Sequence, residues 1–198
     1  MARSPSKLWT RDEAMLAYRL YCELPFGKLH KGNPQIIELA RRLGRSPSSI
    51  ALKLGNFAHL DPTQRARGIR GMANVSALDR EVAAAFAADW DVAIERTSQQ
   101  WDLPSELDVA TAIEARPTEG TASVKVRLTQ GFFRRAVMAA YDSTCCVCGI
   151  STARLMVASH IVPWAASPTQ RTNPRNGLAL CALHDRAFDT GLFTVTPT

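Results

Sequence analysis

Apolar residues recur at helical spacing through most of the first hundred positions. Leu16, Ala17, Leu20 and Leu24 share one face behind Thr10-Arg-Asp-Glu13, a capping-box pattern, which predicts a first helix from about Arg11 to Glu23, stopped by Pro25. Asn33-Pro34 reads as N-cap and first residue of a second helix, with Ile36, Ile37, Leu39, Ala40 and Leu43 as its apolar face and Gly44 as its stop. Ser46-Pro47 repeats that start signal, and Ile50, Leu52, Leu54 and Phe57 carry a third helix to about Ala58, ahead of the break at Asp61-Pro62.

Further along, Ser76 caps what reads as one longer helix to about Thr97, with Leu78, Val82, Phe86, Trp90 and Ile94 as its buried stripe. Pro104, Pro117 and Gly120 then mark an interrupted stretch, taken as a linker over residues 99–120. Val124, Val126 and Leu128 alternate with Lys125 and Arg127, which predicts a short strand. Phe132, Phe133, Ala136, Val137, Ala140 and Tyr141 form a last amphipathic helix leading into a group of cysteines. The expected organisation is a helical domain over residues 1–98, the linker, and a C-terminal domain over residues 121–198, in the α+β class.

The second and third helices, separated by Gly44-Arg45-Ser46, resemble a helix-turn-helix. In that arrangement Ser48, Ser49, Lys53 and Asn56 would face the DNA major groove; the alternative is a helical bundle that reads no groove. Charge bears on this choice. The chain carries +6 overall, but residues 1–72 hold 13 Lys/Arg against 5 Asp/Glu, residues 73–130 hold 5 against 10, and residues 131–198 hold 6 against 3. Two basic ends suit a polyanionic partner, because neutralising phosphates releases condensed counterions. The same charge would also serve solubility alone.

With 46% apolar residues the chain can build a core. No run of about 18 apolar residues appears. The N-terminus MARSPSKLWT lacks the apolar stretch of a signal peptide, so a cytoplasmic location is expected. Three of the five cysteines, Cys145, Cys146 and Cys148, crowd into four positions, which fits metal binding in a reducing compartment better than disulfides.

Cys145-x2-Cys148 and Cys181-x2-His184 are two ligand pairs of the kind a tetrahedral structural zinc needs. Cys146 reads as a spare beside the first pair or as a substitute for Cys145. Between the pairs lie Ser159-His160-Ile-Val-Pro-Trp164 and Asn173-Pro-Arg-Asn176-Gly-Leu-Ala-Leu-Cys181, followed by His184-Asp-Arg-Ala-Phe-Asp189. From about Phe132 to Thr194 the chain resembles the HNH endonucleases, in particular their restriction-enzyme-like branch. That resemblance implies a β-hairpin and helix around one catalytic metal. The stretch from Trp9-Thr-x2-Glu13 to Asn56-Phe-x2-Leu-Asp-Pro62 resembles, less specifically, the companion domain of such enzymes.

The residue types fit phosphodiester hydrolysis. An imidazole such as His160 titrates near neutral pH and suits a general base. Asp185 and Asp189, four apart, would share a helix face and offer hard oxygen ligands to Mg2+ or Mn2+, with His184 as an alternative ligand to that ion. By resemblance Asn176 is the middle Asn of the motif, orienting the hairpin or touching the metal, with Asn173 as the weaker substitute. Arg171, Arg175 and Arg186 are candidate phosphate contacts. Where the family often has a metal-binding His or Asp before the base, this chain has Ser159; where many relatives read Cys-x2-Cys-His, it reads Cys181-x2-His184-Asp185. The expected activity is DNA cleavage in a restriction-type role, with a homodimer if both strands are cut. The alternatives are a zinc-supported DNA-binding protein with a degenerate core and an RNA-cleaving HNH enzyme.

Overall fold

The computed structural model describes residues 8–100 and 121–196, which hold eight α-helices and a two-stranded sheet. The helix starts obey the local capping chemistry. Helix α1 (Arg11–Glu23) opens on the reciprocal box, the Thr10 N–H donating to Glu13 Oε2 at 2.9 Å and the Glu13 N–H to Thr10 Oγ1 at 3.3 Å. Helix α2 (Pro34–Leu43) is capped by Asn33, whose Oδ1 accepts from the Gln35 N–H at 2.8 Å. It ends at Gly44, which sits in the left-handed region at φ 60°. Ser46 caps α3 (Pro47–Leu60), which runs two residues beyond the expected Ala58. The Asp61 N–H closes α3 on Phe57 O at 3.1 Å, while its carboxylate caps the short α4 (Pro62–Ala66) and accepts the Tyr21 hydroxyl at 2.7 Å.

Two expectations are corrected. The long helix is two, α5 (Ala77–Ala88) and α6 (Trp90–Ser98), because Asp89 leaves helical geometry at φ −155°, ψ 99° and its side chain caps Val92 N–H. The strand expected at residues 124–128 is instead part of α7 (Thr121–Ala140), which runs without a break into the phenylalanines. Of the expected linker over residues 99–120, residues 101–120 lie outside the described residues.

Contacts divide the chain into one compact unit of Met1–Tyr21 and Leu29–Ala84 and another of Cys22–Lys28 and Ala85–Thr198, so α6 goes with the second unit rather than with the N-terminal helices. The reason is apolar: Trp90 stacks on Phe132 of α7 with ring centroids 6.0 Å apart. In the first unit Leu20, Ile36, Leu39, Ile50, Leu54 and Phe57 are fully enclosed. The second unit packs Phe133, Val137, Met138, Met156, Leu178 and Leu180 into one cluster. Its sheet is an antiparallel hairpin of β1 (Met156–His160) and β2 (Gly177–Cys181), with Met156 opposite Cys181 and His160 opposite Gly177. Helix α8 (Ala182–Asp189) follows β2 directly.

Lys53 and Asn56, expected as DNA contacts, point inward. Lys53 is 5% exposed and its Nζ lies 2.5 Å from Asp79, which is fully buried; Asn56 donates to the other Asp79 oxygen at 3.3 Å. The Asp79 carboxyl meets two opposing influences: burial works against ionisation, but the Lys53 ammonium and the Ser76 N–H outweigh it and hold the carboxyl below its usual range. Removing one partner of a buried pair leaves the other charge uncompensated, so Lys53→Ala is expected to cost about 3–5 kcal/mol in urea unfolding at pH 7. Because the folded carboxyl is depressed, the pair's contribution is present above about pH 3.9 and is lost as pH falls through the lower folded value. The difference between wild type and variant should therefore shrink in strong acid.

Candidate metal centre and hydrolytic site

The sequence after α7 turns back on itself through two residues in left-handed backbone, Asp142 and Ser143, and then forms a tight knuckle. The Gly149 N–H donates to Cys145 O at 2.9 Å, with Gly149 itself at φ 77°. The Cys146 N–H reaches Ala179 O of β2 at 2.9 Å, which lays the knuckle along the hairpin. This brings one ligand atom each from Cys145, Cys148, Cys181 and His184 within 4.8 Å of one another. Cys148 and Cys181 sulfurs are 3.8 Å apart, and His184 Nδ1 lies 3.2 Å from Cys181 Sγ and 3.6 Å from Cys145 Sγ. A zinc with 2.3 Å bonds to sulfur in a tetrahedron requires about 3.8 Å between sulfurs, so the donor set and its spacing fit. Cys146 is exposed and stands outside the cluster.

Two of the three ligand thiols, Cys145 and Cys181, are shifted toward thiolate, while Cys148 is raised: the Ile150 N–H lowers it, but burial and the neighbouring Cys145 and Cys181 thiols outweigh that. Burial pushes the Cys145 thiol up, but the backbone N–H groups of Cys148, Val147 and Cys181 more than offset this and bring it down to about 6. Cys181 is lowered by the His184 backbone N–H. The bond to Cys181 raises the His184 imidazole.

At the far end of the hairpin, His160 is held on three sides. Its Nε2 lies 2.9 Å from the Arg171 carbonyl, its ring is stacked on Phe133 with centroids 3.9 Å apart and planes 4° apart, and Trp164 meets it edge-on at 5.6 Å. Asn176, buried at 6% exposure, staples the loop after β1: its Oδ1 accepts the Val162 N–H at 2.7 Å and its Nδ2 donates to Val162 O at 3.0 Å and Gln170 O at 3.2 Å. The geometry thus gives Asn176 an orienting place. Asn173 only shapes the turn, accepting from Arg175 N–H at 3.0 Å and donating to Gln170 at 2.8 Å.

Ser159 and His160 are consecutive in a strand, so their side chains leave opposite faces. Ser159, 4% exposed, lies beside the Asp185 carboxylate of α8. Burial raises the Asp185 carboxyl; the Ser159 hydroxyl opposes this, and the nearby Asp189 charge adds to it. Arg171 donates from Nε to Trp164 O at 2.9 Å and lies over the Trp164 ring at 5.3 Å, while Arg175 and Arg186 are exposed. Ser48 is exposed and Ser49 half-buried on α3. Sequence reasoning missed Phe133: helical periodicity marks it as buried but does not say that it packs on the candidate base.

A Cys3His cage bracing a hairpin, with a histidine at the strand end and paired carboxylates on the next helix, defines a zinc-supported ββα-metal module. Residues 145–196 match the family model of the HNH endonucleases, so this segment is similar to the nuclease domains of that family. No curated protein and no solved structure matched the chain.

Full-length protein is expected to hold about one tight zinc per chain, and Cys181→Ser to lose it, as read by elemental analysis after dialysis. Ligand thiols bind metal only as thiolates, so protons compete for the cage increasingly as pH falls. Full occupancy in Cys181→Ser would contradict the cage.

Proposed function

We propose that this protein is a divalent-cation-dependent endonuclease that hydrolyses DNA phosphodiester bonds, in the manner of restriction-type HNH enzymes. The observation that carries the reading is the hydrogen bond from His160 to Arg171 O. A carbonyl only accepts, so Nε2 carries the ring proton and Nδ1 keeps its lone pair. Nδ1 then takes a proton from water as the water oxygen bonds to phosphorus; the P–O3′ bond breaks and the leaving O3′ takes up a proton from solvent, giving a 5′-phosphate and a 3′-hydroxyl.

Asp185 and Asp189, one turn apart on α8, supply two hard carboxylate donors for Mg2+ or Mn2+. When bound, that cation neutralises the phosphate and stabilises the leaving oxygen. Ser159 stands where the family often has a stronger ligand, so Asp185 and Asp189 are the residues that would hold the cation. Arg171, Arg175 and Arg186 attract the strand. The first unit adds affinity for duplex backbone through exposed Arg65, Arg67 and Arg70, with Ser48 the one expected groove contact that stands open on α3.

His160→Ala should slow Mn2+-dependent nicking of supercoiled plasmid by roughly 10²–10⁴-fold. Equal cleavage by variant and wild type would remove the nuclease reading in favour of DNA binding by a degenerate core. Running the assay on structured RNA separates the substrate classes, and comparing modified with unmodified phage DNA tests the restriction role.

Asp185→Asn should abolish most cleavage yet raise the melting temperature measured with zinc but without Mg2+ or Mn2+. The sign follows from the raised carboxyl: the fold favours its protonated form, so the charge carried at neutral pH costs stability, a cost that disappears as pH falls through the folded value. A lower melting temperature in Asp185→Asn would count against this account.

A further inference from the structure

We propose that Phe133, on α7 and ahead of the matched nuclease segment, is the positioning residue for the His160 base, an inference that rests on the nuclease reading above. The terminal torsion of histidine is broad, so an imidazole anchored by one hydrogen bond can still pivot about it. In this protein the Arg171 carbonyl fixes one ring atom, and Phe133 fixes the plane. With centroids 3.9 Å apart and planes 4° apart, the imidazole cannot swing its edge inward without striking the phenyl face. Trp164, at 86° to the imidazole, bounds it from another side. Nδ1 is thereby held in one direction.

The backbone opposite is built to allow this contact. Gly177 pairs with His160 across the hairpin. A Cβ at position 177 would overlap Val137 Cγ2 and stand 3.0 Å from Phe133 Cζ. Glycine at that point lets α7 approach closely enough for the phenyl ring, itself 3% exposed, to lie flat on the imidazole. Phe133 has no polar atom to offer the substrate. Its influence on cleavage runs through His160 and through exclusion of water from one ring face.

The test uses full-length protein with zinc. Phe133→Leu and Phe133→Met keep the apolar bulk and lose the flat face. Each is expected to lower the single-turnover Mn2+ cleavage rate by about 10–100-fold, with the DNA concentration at half-saturation unchanged within about twofold, because misplacing a reacting group weakens the step and not the binding. Adding Phe133→Leu to His160→Ala should cost nothing further; the same loss in both backgrounds would show that Phe133 acts through folding alone and overturn the proposal. Val137→Ala, which also borders Gly177, is the folding control: it should lower the melting temperature and leave the rate within about twofold.

A readout independent of activity is the ¹⁵N spectrum of the imidazole. Wild type should show the Nε2–H tautomer and Phe133→Leu a mixture, whereas an unchanged tautomer in Phe133→Leu would overturn the proposal. If wild type cleaves neither DNA nor RNA, the nuclease reading fails, and the spectrum still decides whether Phe133 orders the ring.

Discussion

A hairpin of two five-residue strands does not stand in water by itself, and the candidate site of this protein hangs on one. The whole C-terminal unit can be read as a solution to that constraint. On one side the Cys3His cage ties the knuckle at Cys145–Cys148 to the junction of β2 and α8, so one cation would fasten the hairpin to its helix. Against the hairpin α7 packs Phe133, Val137 and Met138 into the same apolar cluster as Met156, Leu178 and Leu180. A brace at the cage end fixes where α8 points its carboxylates. The brace from α7 fixes where His160 points its imidazole.

Legibility in the sequence followed the range of the interaction. Caps are local: Asn33-Pro34 and Ser46-Pro47 specify a polar oxygen three or fewer residues from the N–H groups it satisfies, and both helices begin where those dipeptides place them. The ligand pairs at Cys145/Cys148 and Cys181/His184 were equally readable, since each pair sits in one turn. Alternation over five residues at Val124–Leu128 misled, because so short a pattern does not exclude a helix when no breaker separates it from the helical run at Phe132. The break at Asp89 was hidden by a stripe of Phe86, Trp90 and Ile94 that remains buried through it; one capping carboxylate ends the first helix without disturbing the apolar side.

What could not be read were pairings between distant residues. Lys53 looks like a surface cation on a basic helix, but its partner is Asp79, twenty-six residues on. Arg45 likewise turns inward, donating to Glu13 at 2.8 Å and covering Trp9 at 4.0 Å. Positive charge in the first unit is thus partly structural. Net charge counts buried and exposed cations alike, which is why it indicated a partner without indicating the face.

The dipeptide His184-Asp185 shows how the fold sends two neighbouring side chains of one helix to different places. Successive residues of an α-helix are rotated by about 100°, so the two side chains diverge from the first turn of α8. His184 turns to the thiol sulfurs, where a borderline nitrogen donor suits zinc. Asp185 turns to Ser159 on the hairpin, one residue before His160 in the chain, where an oxygen donor suits a hard cation. Exchanging the two roles would require α8 to rotate by that same angle, which would pull His184 out of reach of Cys145 and Cys181 and unfasten the brace. The contacts that seat His184 among the thiols therefore also decide which side chain of α8 faces Ser159.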